Sequence, residues 1–316
     1  AELGYLMKTY SAVKFDVPRF LDTCAGDARK EVTSHGIVAY DGADKQVQRV
    51  VELAHQYFRK VPVLIITANL SELSKVHAAL KDGGQIPPEE VQRLSEYDQD
   101  GRSLKDEWQT IIDDATKRLG GVDDNRCRVT VTDRFGGRGH DFQVVDKESN
   151  ANGGMLVIAT SLPDEREWIQ WRGRTARQDR PGQFCVVLDL KSPPLSESKH
   201  KRIADLVRAS RGAELQKRGS VIVSEDAKIE MMLEIADDGI GDRLKQFEKE
   251  QANGEKLNEL TEKYYKAHPR PYTDPWPHPE HPEDVVLREL LTKHAESSVS
   301  EIRDDAVRRL KIELEH

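Results

Sequence analysis

Apolar residues along the chain gather into short unbroken runs, separated by stretches in which they return every three or four positions. The runs at 61–67 (VPVLIIT), 127–132 (CRVTVT), 155–160 (MLVIAT) and 184–190 (FCVVLDL) predict strands covered on both faces, because a half-exposed strand would alternate with polar residues. Residues 11–17 read as a fifth strand and 91–94 as a short sixth. Val47, Val50, Val51, Ala54 and Phe58 share one helical face, and Leu70, Leu73, Val76, His77 and Leu80 share another. Leu104, Trp108, Ile111, Ile112, Ala115 and Leu119 form a third, with Ser103 and Asp106 as a capping pair. Strands alternating with amphipathic helices predict an α/β domain over residues 1–190, a parallel sheet sandwiched by helices. In such sheets ligands sit at the carboxyl ends of the strands.

The pattern changes after Lys191. Ser192-Pro193-Pro194 reads as a linker, followed over 191–313 by charged helical stretches at 196–212, 223–266 and 283–313. Gly239 and Gly241 are expected to break the long one. Six prolines within residues 269–282 exclude helix there and predict an extended connector. Leu314-Glu315-His316 reads as a tag remnant. Charged residues make up 33% and hydrophobic ones 37% of the 316, which fits an exposed helical region beside a packed one. The net charge of −8 argues against a nucleic-acid partner. Cys24, Cys127 and Cys185 form no CxxC pair, so a reduced, cytoplasmic compartment is expected, and Cys127 and Cys185, inside apolar runs, are expected to be buried. No run of about 20 apolar residues spans a membrane.

Two segments carry chemistry. The first, 133–142 (DRFGGRGHDF), follows the 127–132 run. Its glycines let backbone approach a ligand, Arg138 offers a planar fork to phosphate, and Asp141 can accept from a ribose or orient the arginine. Alone, it reads equally as a tight turn with a surface ion pair. The second, 170–182 (QWRGRTARQDRPG), places Arg174 and Arg177 three apart, on one face if helical. Two arginines projected together suit the charge of a transferring phosphoryl group, or form a solvated basic face. Both segments follow parallel-type strands, so they are expected at one sheet edge. Trp168 and Trp171 read as the apolar face of a helix on the sheet. His278 and His281, with His268, read as a surface loop, and no metal site is expected.

These motifs, in this order and spacing over about residues 5–190, resemble the second nucleotide-binding domain of SecA, the motor that drives preproteins through the Sec channel. Gly136 to Asp141 (GGRGHD) is similar to that family's AGRGTD, and residues 153–160 (GGMLVIAT) to its GGLHVIGT. Gln170 to Gly182 is similar to QLRGRSGRQGDPG, and PVLIIT at 62–67 to PVLVGT. The resemblance implies a RecA-like fold of the superfamily 2 helicase type. It implies that Gly137, Arg138, Gly139, Asp141 and Gln170 face nucleotide, and that Arg174 and Arg177 are arginine fingers acting on a phosphate held by a partner domain. It also implies ATP with Mg2+ as cofactor, a polypeptide substrate, a Sec-type membrane channel as partner, and a cytoplasmic location or one peripheral to a membrane.

The chain has no GxxxxGK[ST] phosphate loop and no Asp-Glu pair after an apolar strand to hold magnesium. It is therefore expected to need a missing N-terminal motor domain, and to bind ATP weakly and hydrolyse none alone. Asp133-Arg134 replaces a Thr-Asn pair of the family, and His140 replaces a threonine. The stretch 83–126 is longer and more acidic than the family's, and nothing after Lys191 matches its scaffold or two-helix finger. Two alternatives stay open: the C-terminal half of a nucleic-acid helicase, and a non-enzymatic interaction module that kept the fold.

Overall fold

The structure is a computed structural model. It describes residues 2–15, 32–98, 101–119, 125–137, 139–175, 180–193, 195–196, 202–210, 224–267, 269, 275, 277–278 and 282–294. The chain divides into two compact units: residues 15–239, and residues 1–14 together with 240–316.

The larger unit contains β1 (Val32–Tyr40), β2 (Val63–Ile66), β3 (Val91–Leu94), β4 (Arg118–Leu119), β5 (Arg126–Cys127), β6 (Val129–Thr132), β7 (Leu156–Ala159) and β8 (Gly182–Asp189). Six of these form one sheet in the order β1-β8-β7-β2-β6-β3. All its pairings are parallel. β4 and β5 form a separate antiparallel pair. Every residue of β2, β6, β7 and β8 is buried, as the unbroken apolar runs require. The period of two divides them between two cores. Val63 and Ile65 of β2, with Leu156 and Ile158 of β7, face a cluster closed by Val50, Leu53 and Phe58 and by Leu73 and Val76. These come from the helices at Ala43–Tyr57 and Leu70–Asp82 and the turn after the first. Leu64, Ile66, Val157 and Ala159 face the opposite cluster, with Ile112, Trp168, Trp171 and Leu206. The cost of leaving such side chains in water, about 1.5–3 kcal/mol each, sets the sandwich.

Among the described residues the α-helices, in chain order, are α1 (Glu2–Tyr10), α2 (Ala43–Tyr57), α3 (Leu70–Asp82), α4 (Trp108–Ala115), α5 (Lys147–Ala151), α6 (Glu165–Arg172), α7 (Ile203–Ser210), α8 (Glu225–Ala267) and α9 (Pro282–His294). The parallel sheet between helices is the α/β fold expected for a RecA-like domain, and a mainly helical region follows it.

Several expectations need correction. Residues 11–15 form no strand, and 16–17 lie outside the described residues. One outer strand of the sheet is instead β1, which the pattern hid. Ser34, His35 and Gly36 interrupt its apolar run, and they coincide with a register shift between Ser34 and Ile37, where Gly36 takes φ 94°. The helix expected from Leu104 to Leu119 is only α4. A 3-10 turn at Lys105–Glu107 precedes it and β4 takes Arg118 and Leu119. Ser103 does not cap Asp106; its Oγ accepts the Lys105 amide at 3.4 Å. α8 runs through Gly239 and Gly241 without a break. The compact unit that holds the sheet extends to residue 239. Met231, Met232 and Ile235 join Leu206 in the core that contains Phe184 and Val186, so burial draws the chain up to 239 into the α/β unit.

In the smaller unit Tyr5 of α1 meets Phe247 edge to face at 6.4 Å, and Lys8 pairs with Glu248 at 3.2 Å. Asp284 in the first turn of α9 accepts the His278 amide at 2.9 Å. Much of the expected connector, with His268 and His281, lies outside the described residues, as do 295–316. No helix among the described residues is long and apolar enough to cross a membrane. Cys24 is not among the described residues. Cys127 and Cys185 are buried, and burial pushes their thiols up to about 11 and about 12, so they act as small apolar groups.

Candidate functional site

The segment after β6 begins with a turn in which Asp133 accepts the Phe135 amide at 3.0 Å and the Gly137 amide donates to the Asp133 carbonyl at 3.3 Å. Burial raises the Asp133 carboxyl above its usual range. Gly136 and Gly137 are required by close approach. A Cβ on Gly136 would lie 2.0 Å from Thr132 Oγ1, and one on Gly137 would lie 2.6 Å from Trp171 Nε1. Gly139 is required by conformation instead, with φ 74° and open space around its missing Cβ.

Beyond it burial alternates along the chain. Asp141, Gln143 and Val145 are exposed, while Phe142 and Val144 are buried in the core. Asp141 therefore faces outward. Its Oδ2 accepts from Gln143 Nε2 at 2.6 Å, and it lines a cleft of about 600 Å³ shared with Gln109, Asp113, Lys117 and Arg118. Arg118 is held there by Asp146 at 2.9 Å and by the Lys60 carbonyl at 2.8 Å.

The second segment begins in α6. Asp164 and Glu167 form a capping box: the Asp164 side chain accepts the Glu167 amide at 2.6 Å, and the Glu167 carboxylate accepts the Asp164 amide at 3.3 Å. Gly173 caps the helix, so Arg174 lies past its end and not on a helical face. Thr175 Oγ1 donates to the Met155 carbonyl at 2.6 Å and accepts the Gln183 amide at 3.3 Å. Both partners flank the amino ends of β7 and β8. α6 thus carries the chain back across the sheet, and this segment does not sit at the carboxyl edge as expected. The two segments meet through the side chains of Arg174 and Arg134.

Their junction is Arg174. The residue is only 4% exposed. Nε donates to the Gly137 carbonyl at 3.0 Å, and Nη1 donates to the His140 carbonyl. A second tie lies earlier in both segments. Arg134 Nη1 pairs with Glu167, whose side chain is fully buried, and Nη2 donates to the Leu162 carbonyl at 3.2 Å. The Arg134 guanidinium also stands 5.8 Å from the Trp171 ring centre. The His140 ring packs against Phe135 at 5.0 Å and Trp108 at 6.0 Å. Burial first, and the Arg174 charge second, hold its pKa below the usual value.

Gly137, Gly139, Arg174 and Gln170 are thus gathered around one loop or on α6, whereas Asp141 opens onto the neighbouring cleft. Gln170 Oε1, Trp171 Nε1 and His140 Nε2 are buried polar atoms without a hydrogen-bond partner. Such atoms mark places where water or a ligand group is accommodated. Arg138 and Arg177 lie outside the described residues. The reading from sequence alone missed the Arg134–Glu167 tie, although Asp164 and Glu167 at capping-box spacing were a signal for the start of α6. Trp168 and Trp171 are buried against the sheet, as their spacing predicted.

No protein-family model matches the sequence, and no curated protein matches it. Among solved structures, the chain is similar to the E. coli DEAD-box protein SrmB bound to the ribonuclease regulator RraA. Identity is 15%, coverage 62% of this chain and 100% of that one, and the TM-score 0.39. It is similar to S. cerevisiae Dbp5 bound to RNA and ADP BeF3 at 16% identity, over 74% of this chain and 51% of that one, with a TM-score of 0.39. It is also similar to T. fusca Cas3 with ATP at 14% identity, over 68% and 25% of the two chains, with a TM-score of 0.40. The chain thus spans about half of the Dbp5 chain and a quarter of the Cas3 chain. Overlaps this loose carry no argument about activity.

Proposed function

We propose that this chain is one half of an ATP-driven motor of the superfamily 2 type, most like SecA among the families its motifs resemble. It supplies one wall of the ATP cleft. The observation that carries the reading is the direct bond between the two motifs: Arg174 of QWRGRTAR donates to the Gly137 and His140 carbonyls of GGRGHD. Segments separated by more than thirty residues would have no reason to be joined this way in an unrelated surface turn.

In this reading the phosphate loop and the magnesium site belong to another domain, because this chain has neither motif. ATP would bind there with Mg2+, which neutralises charge on the phosphates. Arg174 and Arg177 would approach the terminal phosphate, Arg138 and Asp141 would contact the rest of the nucleotide, and Gln170 would couple its arrival to α6. Closing the two halves would move a polypeptide, with a Sec-type channel as the membrane partner. Alone, the chain has no phosphate-loop motif with its lysine and no Asp-Glu pair after an apolar strand, so turnover is expected only with its partner domain.

The test is ATP turnover by this chain joined to a phosphate-loop domain. Turnover raised by unfolded polypeptide supports a protein-moving motor. Turnover raised by single-stranded RNA or DNA, with salt-sensitive binding, would reassign it as a helicase half. No turnover with both halves folded would remove the motor reading and leave an interaction module.

A further inference from the structure

We propose that Asn152 is a site of spontaneous deamidation, and that its conversion to a carboxylate loosens the bonds by which Gln183 joins the 152–154 turn to the arginine segment. The inference goes beyond the motor reading and stands without it.

The chain holds two Asn-Gly pairs, Asn152-Gly153 and Asn253-Gly254. In such a pair the glycine nitrogen can attack the asparagine side chain, because no Cβ shields it. The Gly153 nitrogen forms a bond to the Asn152 side-chain carbonyl carbon. The bond from that carbon to Nδ2 breaks, and the Gly153 amide proton leaves with the nitrogen as ammonia. Water then opens the cyclic imide. Opening at the side-chain carbonyl gives aspartate, and opening at the main-chain carbonyl gives isoaspartate, which carries an extra methylene in the backbone. The net change is amide and water to carboxylic acid and ammonia.

The fold separates the two pairs. Asn152 is exposed and caps α5, a helix of five residues. Its Nδ2 donates to the Glu148 carbonyl at 2.9 Å, and the Gly153 amide donates to the Asn150 carbonyl at 3.2 Å. Attack requires these bonds to open, and both belong to a helix end, where local opening costs least. Asn253 is fully buried within α8, a helix of 43 residues, so the same attack must break that helix in its interior. Nor is Gly153 free to become a shielding residue, since a Cβ there would lie 2.9 Å from Gln183 Nε2. The packing of Gln183 thus maintains the reactive pair.

Conversion changes what position 152 can do. An amide donates, whereas a carboxylate only accepts, so the product meets the Glu148 carbonyl without a proton between them. Its negative charge also stands at the C-terminal end of α5, where the helix dipole disfavours it. Gln183 carries the disturbance onward. Its Nε2 donates to the Asn152 carbonyl at 3.1 Å and the Gly154 carbonyl at 3.0 Å, and its backbone amide donates to Thr175 Oγ1 at 3.3 Å. Thr175 directly follows Arg174.

The experiment holds the purified chain at mildly alkaline pH, which favours loss of the amide proton, beside a synthetic peptide of residues 147–156. Both are followed by peptide mapping with mass spectrometry. Asn152 is expected to convert at roughly ten times the rate of Asn253 or faster. An intact Asn152 when the free peptide is wholly converted would overturn the proposal, as would equal rates at the two pairs. Asn152→Asp supplies the aspartate product directly. It should raise amide exchange at Gly153, Gly154 and Gln183 by roughly tenfold or more, while Val63–Ile66 stays protected as the control for folding. Exchange at Gln183 equal to that of the unconverted chain would overturn the coupling to the arginine segment.

Discussion

Gly137 and Gly139 stand two apart in one motif, yet their side chains are excluded by different physics. At Gly137 the obstacle is the buried Trp171 indole, 2.6 Å from where a Cβ would sit; at Gly139 it is a φ of 74°. Gly137→Ala is therefore expected to cost about 1–3 kcal/mol in urea denaturation, the range for forcing an extra carbon into a packed site. Gly139→Asn should be close to neutral, because asparagine tolerates the left-handed region. Equal losses at both positions would mean that one shared cause governs them. A second residue-scale effect concerns pH. Burial, then the charges of Lys81 and Arg93, lower His77 to about 4 in the folded chain. Its neutral form thus contributes fully above the ordinary histidine pKa, and that contribution is lost as pH falls from there toward about 4. Between about pH 7 and pH 5 this residue should remove about 1–2 kcal/mol of stability, and His77→Gln should flatten that part of the profile. A profile unchanged by the substitution would show that His77 is not responsible. The sequence marked the arginines and glycines of the site but not how they are occupied. Gly137 and His140 meet Arg174 through backbone carbonyls, which every residue carries, so no pattern of side chains announces these bonds.

Elements whose burial is two-sided were legible, and those with mixed surroundings were not. β2, β6, β7 and β8 lie where the apolar runs placed them because each is covered on both faces. β1 is an outer strand with a register shift, and its run is broken by Thr33, Ser34, His35 and Gly36. Gln183 explains part of that break: its side chain meets His35 Nε2 at 2.8 Å and donates to the Asn152 and Gly154 carbonyls, holding polar residues at the sheet's amino end. α6 carries an element-scale prediction. Arg134 ties the loop to this helix through Glu167, which is fully buried. Arg134→Met removes this charge-assisted bond to the carboxylate and should cost about 1.5–3 kcal/mol. Glu167→Gln should cost less, since its amide oxygen still accepts from Arg134 and from Asp164. Denaturation of both variants checks the order, and a larger loss for Glu167→Gln would contradict the tie as drawn.

For the whole molecule, the motif order over the first 190 residues anticipated a parallel sheet flanked by helices, and the described strands form one. The compact division at 239 was hidden because it depends on which face Leu206, Met231 and Ile235 turn to the sheet, and periodicity places a face without naming its partner. The functional account depends on a cleft completed by another domain. The most direct measurement is ATP turnover by this chain joined to a phosphate-loop domain, compared with the same protein carrying Arg174→Ala. The account predicts turnover that falls by roughly a thousandfold in the variant, the scale of losing an arginine that stabilises phosphoryl transfer. Turnover unaffected by the substitution, with the sheet intact, would contradict it.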